Sequence, residues 1–389
     1  MHIKTRITEL LGIDVPILAF THCREVVAAV SRAGGMGIYG AAVFSPKRVE
    51  ADLAWIEKHC DGRPFGVDVM IPFESEGKSM QGTAKEVAGA LQKEIPPQHR
   101  EFVGQLLDRF EVGPLPTPVA ESPDQPGGPC WRSEWNNYPL GSVESGAREH
   151  TEVALKFPIS LLVTALGPPP PDIRDRARAL GIKLGALVGS PNHAQRQVAA
   201  GVDLIIAQGE EAAAHAGDVS TLVLVPDIVD VVHPIPVLAA GGIGCGRQMA
   251  AALALGAEGV WTGSIWLATA ESDEPPEVIE RLLSAKSTHT VRSNCRTGKS
   301  LRQLRSPWSA AWAEPNALPT LPMPLQHLLT AEAEERIHRN HRADLTTIPV
   351  GQIVGRMNAV RSVADVMRDM TAEYLQAVER LNKLQRGGS

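Results

Sequence analysis

The chain has 389 residues, 43% hydrophobic and 21% charged, which is ordinary globular composition with ample length for one large domain or two smaller ones. A net charge of −6 and an aromatic content of 4% argue against a nucleic-acid-binding surface, which needs a basic face or stacking platforms. Five widely spaced cysteines without a CxxC pair, no signal-peptide pattern and no apolar run of membrane-spanning length together predict a cytoplasmic protein without membrane contact.

Short apolar strands alternate with helices along the first two thirds of the chain. Two of the helices are predicted to begin at Ser45-Pro46 and Ser190-Pro191, where a capping serine is followed by proline at the first helical position. The predicted strands are VPILAF (15–20), GMGIYGA (35–41), PFGVDVM (64–70), ISLLVTAL (159–166), KLGALVG (183–189), DLIIAQG (203–209), PVLAAGG (236–242) and GVWTGSIW (259–266). Near-continuous apolar strands alternating with helices indicate a parallel sheet covered by helices, and eight of them predict an α/β fold of the TIM (β/α)8 barrel type.

Two segments lie outside the predicted barrel. The barrel itself is assigned to residues 1–71 and 158–270, interrupted after the third strand by a long insertion over 72–157. The remaining residues, 271–389, are predicted to form a mainly helical C-terminal region whose last long helix covers 360–384.

The insertion combines an amphipathic helix with a segment rich in Pro and Gly. Val87, Leu91 and Ile95 form one apolar stripe on the helix, which we expect to dock on the barrel mouth. The second part carries three large aromatic residues, Trp131, Trp135 and Tyr138, that are costly to leave in water. We therefore predict that the insertion covers the open end of the barrel as a lid, with a homodimer contact as the alternative.

Glycines mark the ends of the last two predicted strands. Gly241 and Gly242 end strand seven, and Gly263 and Ser264 lie at strand eight. TIM barrels commonly bind phosphate at these two loops, where glycine lets backbone N–H groups approach an anion closely. The pattern favours a phosphate site over the alternative that these glycines only allow strands and helices to pack.

The same region resembles a known family of flavoproteins. The segment AAGGIGCGRQMAAALALGAEGVWTGSIWLAT is similar to the FMN phosphate region of the nitronate monooxygenase family, once called 2-nitropropane dioxygenases, which also contains flavin enoyl-thioester reductases. Further matches, in the same order as in the family, are ITELLGIDVPILAF, AAVSRAGGMGIYGAA, FGVDVM, GVDLIIAQGEEAAAHAGD and VGQIVGRMNAVRSVADVM. The resemblance covers nearly the whole chain apart from about 72–157.

The resemblance implies an FMN-dependent oxidoreductase that acts on a small-molecule substrate. It assigns the flavin edge to the end of strand one, places Asp68 where the family has a flavin-contacting asparagine, and matches Gln208 to the glutamine of its QG motif. The full set of implied cofactor contacts, including the glycine positions, is Ala19, Phe20, Thr21, Asp68, Gln208, Ala213, Gly241, Gly242, Trp261, Thr262, Gly263 and Ser264.

Three departures from the family pattern bear on the chemistry. Strand one ends in a bulky Phe20 where the family has Ala-Pro-Met, and Ala213 and Ala214 replace glycines of its EAGGH loop. Ala165 stands where one class of nitronate oxidisers has a histidine that acts as general base on the nitroalkane carbon. Alanine cannot take a proton, so we expect neutral nitroalkanes to be poor substrates while already deprotonated nitronates can still be oxidised.

Two histidines are the candidate catalytic groups. His215 follows strand six and could donate a proton or orient a substrate carbonyl; the alternative is a loop histidine that holds the turn. His22 follows strand one and suits either a substrate contact or the start of a helix. The neighbouring Cys23 is expected to be a small buried filler at that helix start rather than a redox group.

No set of residues in the sequence predicts a metal site. His327, His338 and His341 include a spacing that one helix face could present, but no carboxylate or cysteine completes a ligand set. A solvated helix face is the favoured interpretation of these histidines.

Three functions stay open at the level of sequence. The first is oxidation of nitronates or related carbanionic substrates with O₂. The second is reduction of an enoyl thioester with NAD(P)H as hydride donor. The third is a non-catalytic barrel without flavin that serves as a partner subunit, an alternative motivated by the departures at Phe20, Ala165, Ala213 and Ala214.

Overall fold

A closed barrel of eight parallel strands forms the centre of the protein. The computed structural model describes residues 2–71, 84–115, 144–165 and 167–386. The strands follow one another around the barrel in chain order, and the eighth closes it by pairing with the first. They are β1 (Ile17–Thr21), β2 (Met36–Gly40), β3 (Phe65–Met70), β4 (Leu161–Ala165), β5 (Lys183–Val188), β6 (Leu204–Gln208), β7 (Val237–Ala240) and β8 (Gly259–Thr262). The predicted TIM (β/α)8 barrel is therefore confirmed.

Helices surround the barrel, and two of them begin at the capping serines that the sequence predicts. In the described ranges they are α1 (Arg6–Leu11), α2 (Arg24–Arg32), α3 (Pro46–His59), α4 (Ala84–Glu94), α5 (Pro97–Arg109), α6 (Glu144–Ala154), α7 (Pro171–Ala179), α8 (Pro191–Ala199), α9 (Thr221–Val232), α10 (Gly246–Ala254), α11 (Pro276–Leu283), α12 (Pro307–Ala311), α13 (Leu325–Arg339) and α14 (Val363–Arg386). Ser45 Oγ accepts a hydrogen bond from the Arg48 N–H (3.3 Å) at the start of α3, and Ser190 starts α8 in the same way. None of these helices is long and apolar enough to cross a bilayer.

Apolar side chains fill the barrel, and a second apolar layer lies between the strands and the helices. The interior cluster includes Leu18, Ile38, Leu161, Ile206 and Leu238, all fully buried. Because side chains alternate between the two faces of a strand, residues two positions along the same strand also point inward. The last inward residue of each strand therefore lies at the carboxyl end of the barrel, which we call the barrel mouth.

A separate apolar cluster joins the insertion to the C-terminal region. On α4, Val87, Leu91 and Ile95 are 2%, 4% and 3% exposed. They pack in one cluster with side chains from α5, α12 and α13, among them Trp308 and Leu329. The prediction that this stripe docks on the barrel mouth is therefore wrong. Its apolar partners come from the far end of the sequence, where a pattern read locally gives no sign of them.

The C-terminal region contains a β-hairpin in addition to its helices. The strands β9 (Thr290–Ser293) and β10 (Leu301–Leu304) pair antiparallel, in a region for which the sequence pattern predicts mainly helix. Ala214, in the loop after β6, and Arg302 of β10 exchange two backbone hydrogen bonds of 3.0 and 2.8 Å. The hairpin thus attaches the C-terminal region to a loop of the barrel mouth.

Candidate active site

Side chains from five strands meet at the barrel mouth. Phe20 and Trp261 belong to the interior cluster. Ala165 and Gln208 follow interior residues of β4 and β6 by two positions and so face the same way. Asp68 lies directly opposite an interior residue of β4 in the sheet register and also points inward. The structure therefore brings these five predicted residues together.

Aromatic rings cover the β1 side of the mouth. The Phe20 ring stacks on Trp261, with centroids 5.9 Å apart and planes at 25°, and meets the His22 ring edge-on at 5.2 Å. His22 Nδ1 lies 2.8 Å from the Gly40 carbonyl oxygen, which can only accept, so this nitrogen carries the hydrogen. His22 is thereby fixed against the end of β2, and Phe20 presents a flat apolar surface to the mouth.

Two polar side chains at the mouth have no partner within the described part of the protein. The Asp68 carboxyl group is 6% exposed, and neither it nor the Gln208 amide forms a hydrogen bond or ion pair with a described residue. Burial raises the pKa of Asp68 well above its usual value. A neutral carboxyl group has a donor and an acceptor, as does an amide. Both groups are therefore free to bind the polar edge of a flat heterocycle.

Asp68→Asn is expected to stabilise the flavin-free protein, and more at pH 8 than at pH 5. The pKa of Asp68 is higher in the folded protein than in the unfolded chain, where it is about 3.9, so stability falls as pH rises through the interval between these values. Asparagine does not titrate and escapes this loss. Thermal melts at both pH values, with the exposed Asp61→Asn as control, check the prediction; a difference that shrinks with rising pH would contradict it.

Backbone N–H groups at the ends of β7 and β8 form an open cradle. Gly241 and Gly242 adopt left-handed backbone conformations, with φ of +107° and +66°. A Cβ at Gly241 would lie 2.7 Å from Thr221 Oγ1, whereas one at Gly263 would meet nothing within 4 Å. The N–H groups of Gly242 and Gly263 donate to no group in the described part of the chain. Free donors beside open space suit a phosphate group.

A segment of the C-terminal region supports the cradle. Ser264 Oγ accepts a hydrogen bond from the Gly351 N–H (2.9 Å), and the Gln352 N–H donates to the Glu211 carbonyl oxygen (3.0 Å). A Cβ at Gly351 would lie only 2.7 Å from the Glu211 carbonyl oxygen, so glycine is required for this close approach. The loop after β6 and the turn after β8 are thereby held together through one C-terminal segment.

Other predicted cofactor residues use their side chains for the fold. Ala19 is fully buried in the layer between strands and helices. Thr21 Oγ1 accepts from the Cys23 N–H (3.0 Å), and Thr262 Oγ1 donates to the Leu18 carbonyl oxygen (3.0 Å) across the closure of the barrel. Ala19 and Thr262 can serve a bound group only through their backbone atoms, whereas the Thr21 hydroxyl has its hydrogen uncommitted among the described residues.

His215 is held in the loop after β6 as a neutral imidazole. Its Nδ1 lies 3.1 Å from the Ser300 carbonyl oxygen, which fixes the hydrogen on Nδ1. Burial lowers the pKa of His215 to about 4, and the positive charges of Lys299 and Arg296 contribute to the lowering. Nε2 lies 3.5 Å from Thr297 Oγ1, whose hydroxyl donates to the Lys299 carbonyl oxygen. Nε2 therefore has a free lone pair rather than a proton to give.

Cys23 does not have the properties of a redox group. Its Sγ donates to the Glu271 carbonyl oxygen (3.2 Å), and burial raises the pKa of the thiol well above its usual value. It occupies the cap position of α2, as expected for a buried filler. In the residues that the structure describes, no cluster of His, Cys, Asp and Glu side chains could hold a metal ion.

Comparison with known families decides the class of protein. The family model described as nitronate monooxygenase matches residues 4–108 and 120–373. The chain belongs to the nitronate monooxygenase family. It is a flavin-dependent oxidoreductase, and the alternative of a flavin-free partner subunit is not supported.

Individual relatives of this nitronate monooxygenase family member match along nearly the whole chain. Over 387 residues it is 46% identical to the "Putative monooxygenase Rv1533" of Mycobacterium tuberculosis, covering 98% of this chain and 99% of that protein. A nitroalkane oxidase structure from Streptomyces ansochromogenes is 25% identical, with a TM-score of 0.76 and coverage of 96% and 99%. FabK from Thermotoga maritima is 26% identical, with a TM-score of 0.70 and coverage of 98% and 99%.

The nitronate monooxygenase mouth also uses residues that the sequence did not single out. Gly351 braces the cradle, and Arg296 and Lys299 of the C-terminal region act on the charge of His215. The stretch VGQIVGRM was the available signal, since it carries part of the family resemblance far from the barrel strands. This stretch does not show that Gly351 lies against the loop after β6.

Proposed function

We propose that this enzyme binds FMN at the barrel mouth. The free N–H groups of Gly242 and Gly263, together with the Ser264 hydroxyl, are the groups that would hold the phosphate. Asp68 and Gln208, both without partners among the described residues, are the groups that would bind the polar edge of the ring system. The flavin supplies the electron chemistry, and these side chains supply its binding and orientation.

FMN rather than FAD is expected as the bound flavin. The cradle at β7 and β8 is one phosphate site, and the GxGxxG spelling at residues 35–40 lies in strand β2 rather than in a turn between a strand and a helix that could hold a pyrophosphate. Acid release of the cofactor from the purified protein followed by chromatography checks the prediction. Recovery of FAD would contradict it.

We propose further that the substrate is a nitronate or a related carbanion, oxidised with O₂. The observation that carries the proposal is that neither residue 165 nor His215 offers a strong base at the mouth. Ala165 occupies the inward position at the end of β4, and the pKa of His215 is lowered to about 4. A substrate that arrives already deprotonated needs no base.

A paired assay tests the proposed reaction. Oxygen uptake is measured with propyl-2-nitronate and with neutral 2-nitropropane, and NAD(P)H consumption is measured with an enoyl-CoA. We expect oxygen uptake with the nitronate and much less with the neutral nitroalkane, because only the neutral form requires proton abstraction. Consumption of NAD(P)H dependent on the enoyl-CoA, without oxygen uptake on the nitronate, would overturn the proposal.

Reduction of an enoyl thioester with NAD(P)H is the second candidate. The likeness to FabK favours it, with coverage of nearly the whole chain. Saturating the double bond also requires a proton donor, and His215 has its one hydrogen committed to the Ser300 carbonyl oxygen. The described residues at the mouth therefore suit this reaction less well than oxidation of an anion.

The insertion over 72–157 is proposed to influence access to this site. Its helices α4 and α5 pack against the C-terminal region that supports the mouth. Its aromatic residues Trp131, Trp135 and Tyr138 lie outside the described residues. A lid and a homodimer contact both stay predictions for this segment.

A further inference from the structure

Ala214, in the loop after β6, has a backbone conformation that alanine rarely adopts. Its φ of +58° lies in the left-handed region, where the Cβ atom comes too close to the following carbonyl oxygen. Strained residues of this kind persist only where the surrounding structure fixes them, and they cluster at functional sites. Because His215 is the next residue in the chain, whatever holds Ala214 also determines where the His215 ring lies.

Arg302 of β10 holds the loop on the near side of Ala214. The two residues exchange backbone hydrogen bonds of 3.0 and 2.8 Å. The Arg302 side chain reaches further back along the loop, since its Nε donates to the Glu210 carbonyl oxygen (2.9 Å). Its Nη1 donates to Thr290 Oγ1 (3.1 Å) on the other strand of the hairpin, so the guanidinium group is itself fixed.

Arg292 of β9 holds the same loop on the far side of His215. It lies opposite Arg302 in the hairpin register, and its side chain is 23% exposed. Its Nη2 and Nη1 donate to the carbonyl oxygens of residues 216 and 217, both at 3.0 Å. Nη1 also pairs with the carboxylate of Asp218. The loop is therefore bonded to the hairpin both before and after His215.

Arg292 also contacts the residue that bonds the His215 ring. Its Nε donates to Ser300 Oγ (3.2 Å). The carbonyl oxygen of the same Ser300 accepts from His215 Nδ1 (3.1 Å) and so sets the tautomer of the ring. One guanidinium group thus joins the backbone that carries His215 to the group that orients it. A lysine ammonium group could not reach all of these acceptors, because it lacks the planar fork.

We propose that Arg292 is a positioning residue of the active site, which holds Ala214 in its left-handed conformation and the His215 ring against Ser300. It acts through the loop and not on the substrate. Its role deepens the proposed function and rests on it, since the loop carries His215 and the cofactor residue Ala213 to the mouth. Without Arg292, Ala214 is expected to relax out of the strained conformation and to turn His215 away from Ser300.

Two variants of Arg292 and one control separate positioning from folding. Arg292→Met keeps much of the length of the side chain but removes all of its hydrogen bonds, whereas Arg292→Lys keeps the charge and some of the donors. Arg178→Met is the matched control. Arg178 is exposed at the end of α7 and donates to the Gly201 carbonyl oxygen (2.9 Å), which precedes β6 at the opposite end of the barrel from the mouth.

The direct readout is the His215 ring, observed by NMR on the holoprotein labelled with ¹⁵N-histidine. Its signals are identified by their loss in His215→Asn. In the wild-type protein near pH 7 we expect a neutral ring with the hydrogen on Nδ1. Arg292→Met should shift the signals towards a mixture of the two tautomers, because the ring loses its fixed acceptor. Arg178→Met should leave them unchanged.

The kinetic readout is kcat/KM for propyl-2-nitronate, measured at a temperature at which the thermal melts show every variant fully folded. A displacement of about 1 Å in a positioned group can cost about a hundredfold in rate. We therefore expect a loss of at least about tenfold in Arg292→Met, partial rescue in Arg292→Lys and no loss in Arg178→Met.

Ala214→Gly tests the link between the arginine and the strained backbone. Glycine adopts the left-handed conformation without strain, so the loop should depend less on Arg292 once residue 214 is glycine. Adding Ala214→Gly to Arg292→Met should recover at least about threefold in kcat/KM and return the His215 signals towards those of the wild-type protein.

Three results would overturn this role for Arg292. They are unchanged His215 signals in Arg292→Met, a loss confined to the melting temperature, or an equal loss of activity with and without Ala214→Gly. The proposed function fails separately. If the wild-type protein does not oxidise nitronates but its His215 signals respond to these variants as expected, Arg292 keeps its role and the reaction is the part that is wrong.

Discussion

Gly242→Asp is expected to give a soluble and colourless protein. Gly242 has a φ of +66°, and a Cβ there would lie 3.2 Å from Glu211 Cβ at the edge of the cradle. The new carboxylate would meet both the Glu211 side chain and any bound phosphate at short range, where like charges repel. Flavin binding should therefore be lost while the barrel, whose core lies elsewhere, still forms.

The control is the same substitution at Gly181. That glycine has a similar φ of +74° and lies exposed in the turn after α7, where an added Cβ would meet nothing within 4 Å. Gly181→Asp carries the same backbone strain and charge without touching the mouth. The ratio of flavin to protein absorbance and the thermal melt are measured for both variants. Normal flavin content in Gly242→Asp would show that the phosphate lies elsewhere.

The barrel strands were accessible to prediction because each is a local signal. Residues such as Ile205 and Leu238 lie in short apolar runs bounded by glycine, and the Ser-Pro pairs at 45–46 and 190–191 mark two helix starts. Both kinds of signal depend on neighbouring residues only. They therefore survive without knowledge of the tertiary structure.

The outer regions were harder to predict because their partners are distant in sequence. The strands β9 and β10 have four residues each, and Arg292 and Arg302 interrupt their apolar pattern. The stripe on α4 is recognisable as apolar, but its partners on α12 and α13 cannot be identified from the stripe itself. Local periodicity shows that a helix face must be buried, but it does not show which residues it packs against.

The residues of the candidate site also include some that local patterns predict and some that they do not. Phe20, Asp68 and Gln208 could be placed at the mouth because strand parity and the family resemblance agree. Gly351 could not, since the stretch VGQIVGRM gives no sign of the barrel loop that it contacts. The packing of α13 was missed as well, because Nδ1 of His327 is shielded from solvent although the helix spacing suggested a solvated face.

Ala165→His is expected to extend the enzyme to neutral nitroalkanes. Ala165 is the last inward residue of β4, and its carbonyl oxygen accepts from the Ile71 N–H (2.9 Å), so the strand end is fixed. A histidine there would project into the mouth and could take the proton from the acidic carbon. A well-placed base contributes about a hundredfold or more, so turnover of 2-nitropropane should rise by that order.

Comparing the neutral nitroalkane with its nitronate shows whether the gain comes from proton abstraction. Propyl-2-nitronate has already lost the proton, so Ala165→His should change its oxidation little. Ala165→Asn provides the matched control, because it adds similar bulk and polarity but cannot act as a base. Equal gains on both substrate forms, or equal gains from asparagine and histidine, would mean that residue 165 does not face the reacting carbon. A gain confined to the neutral form and to histidine would trace the substrate range of this chain to one missing imidazole at the end of β4.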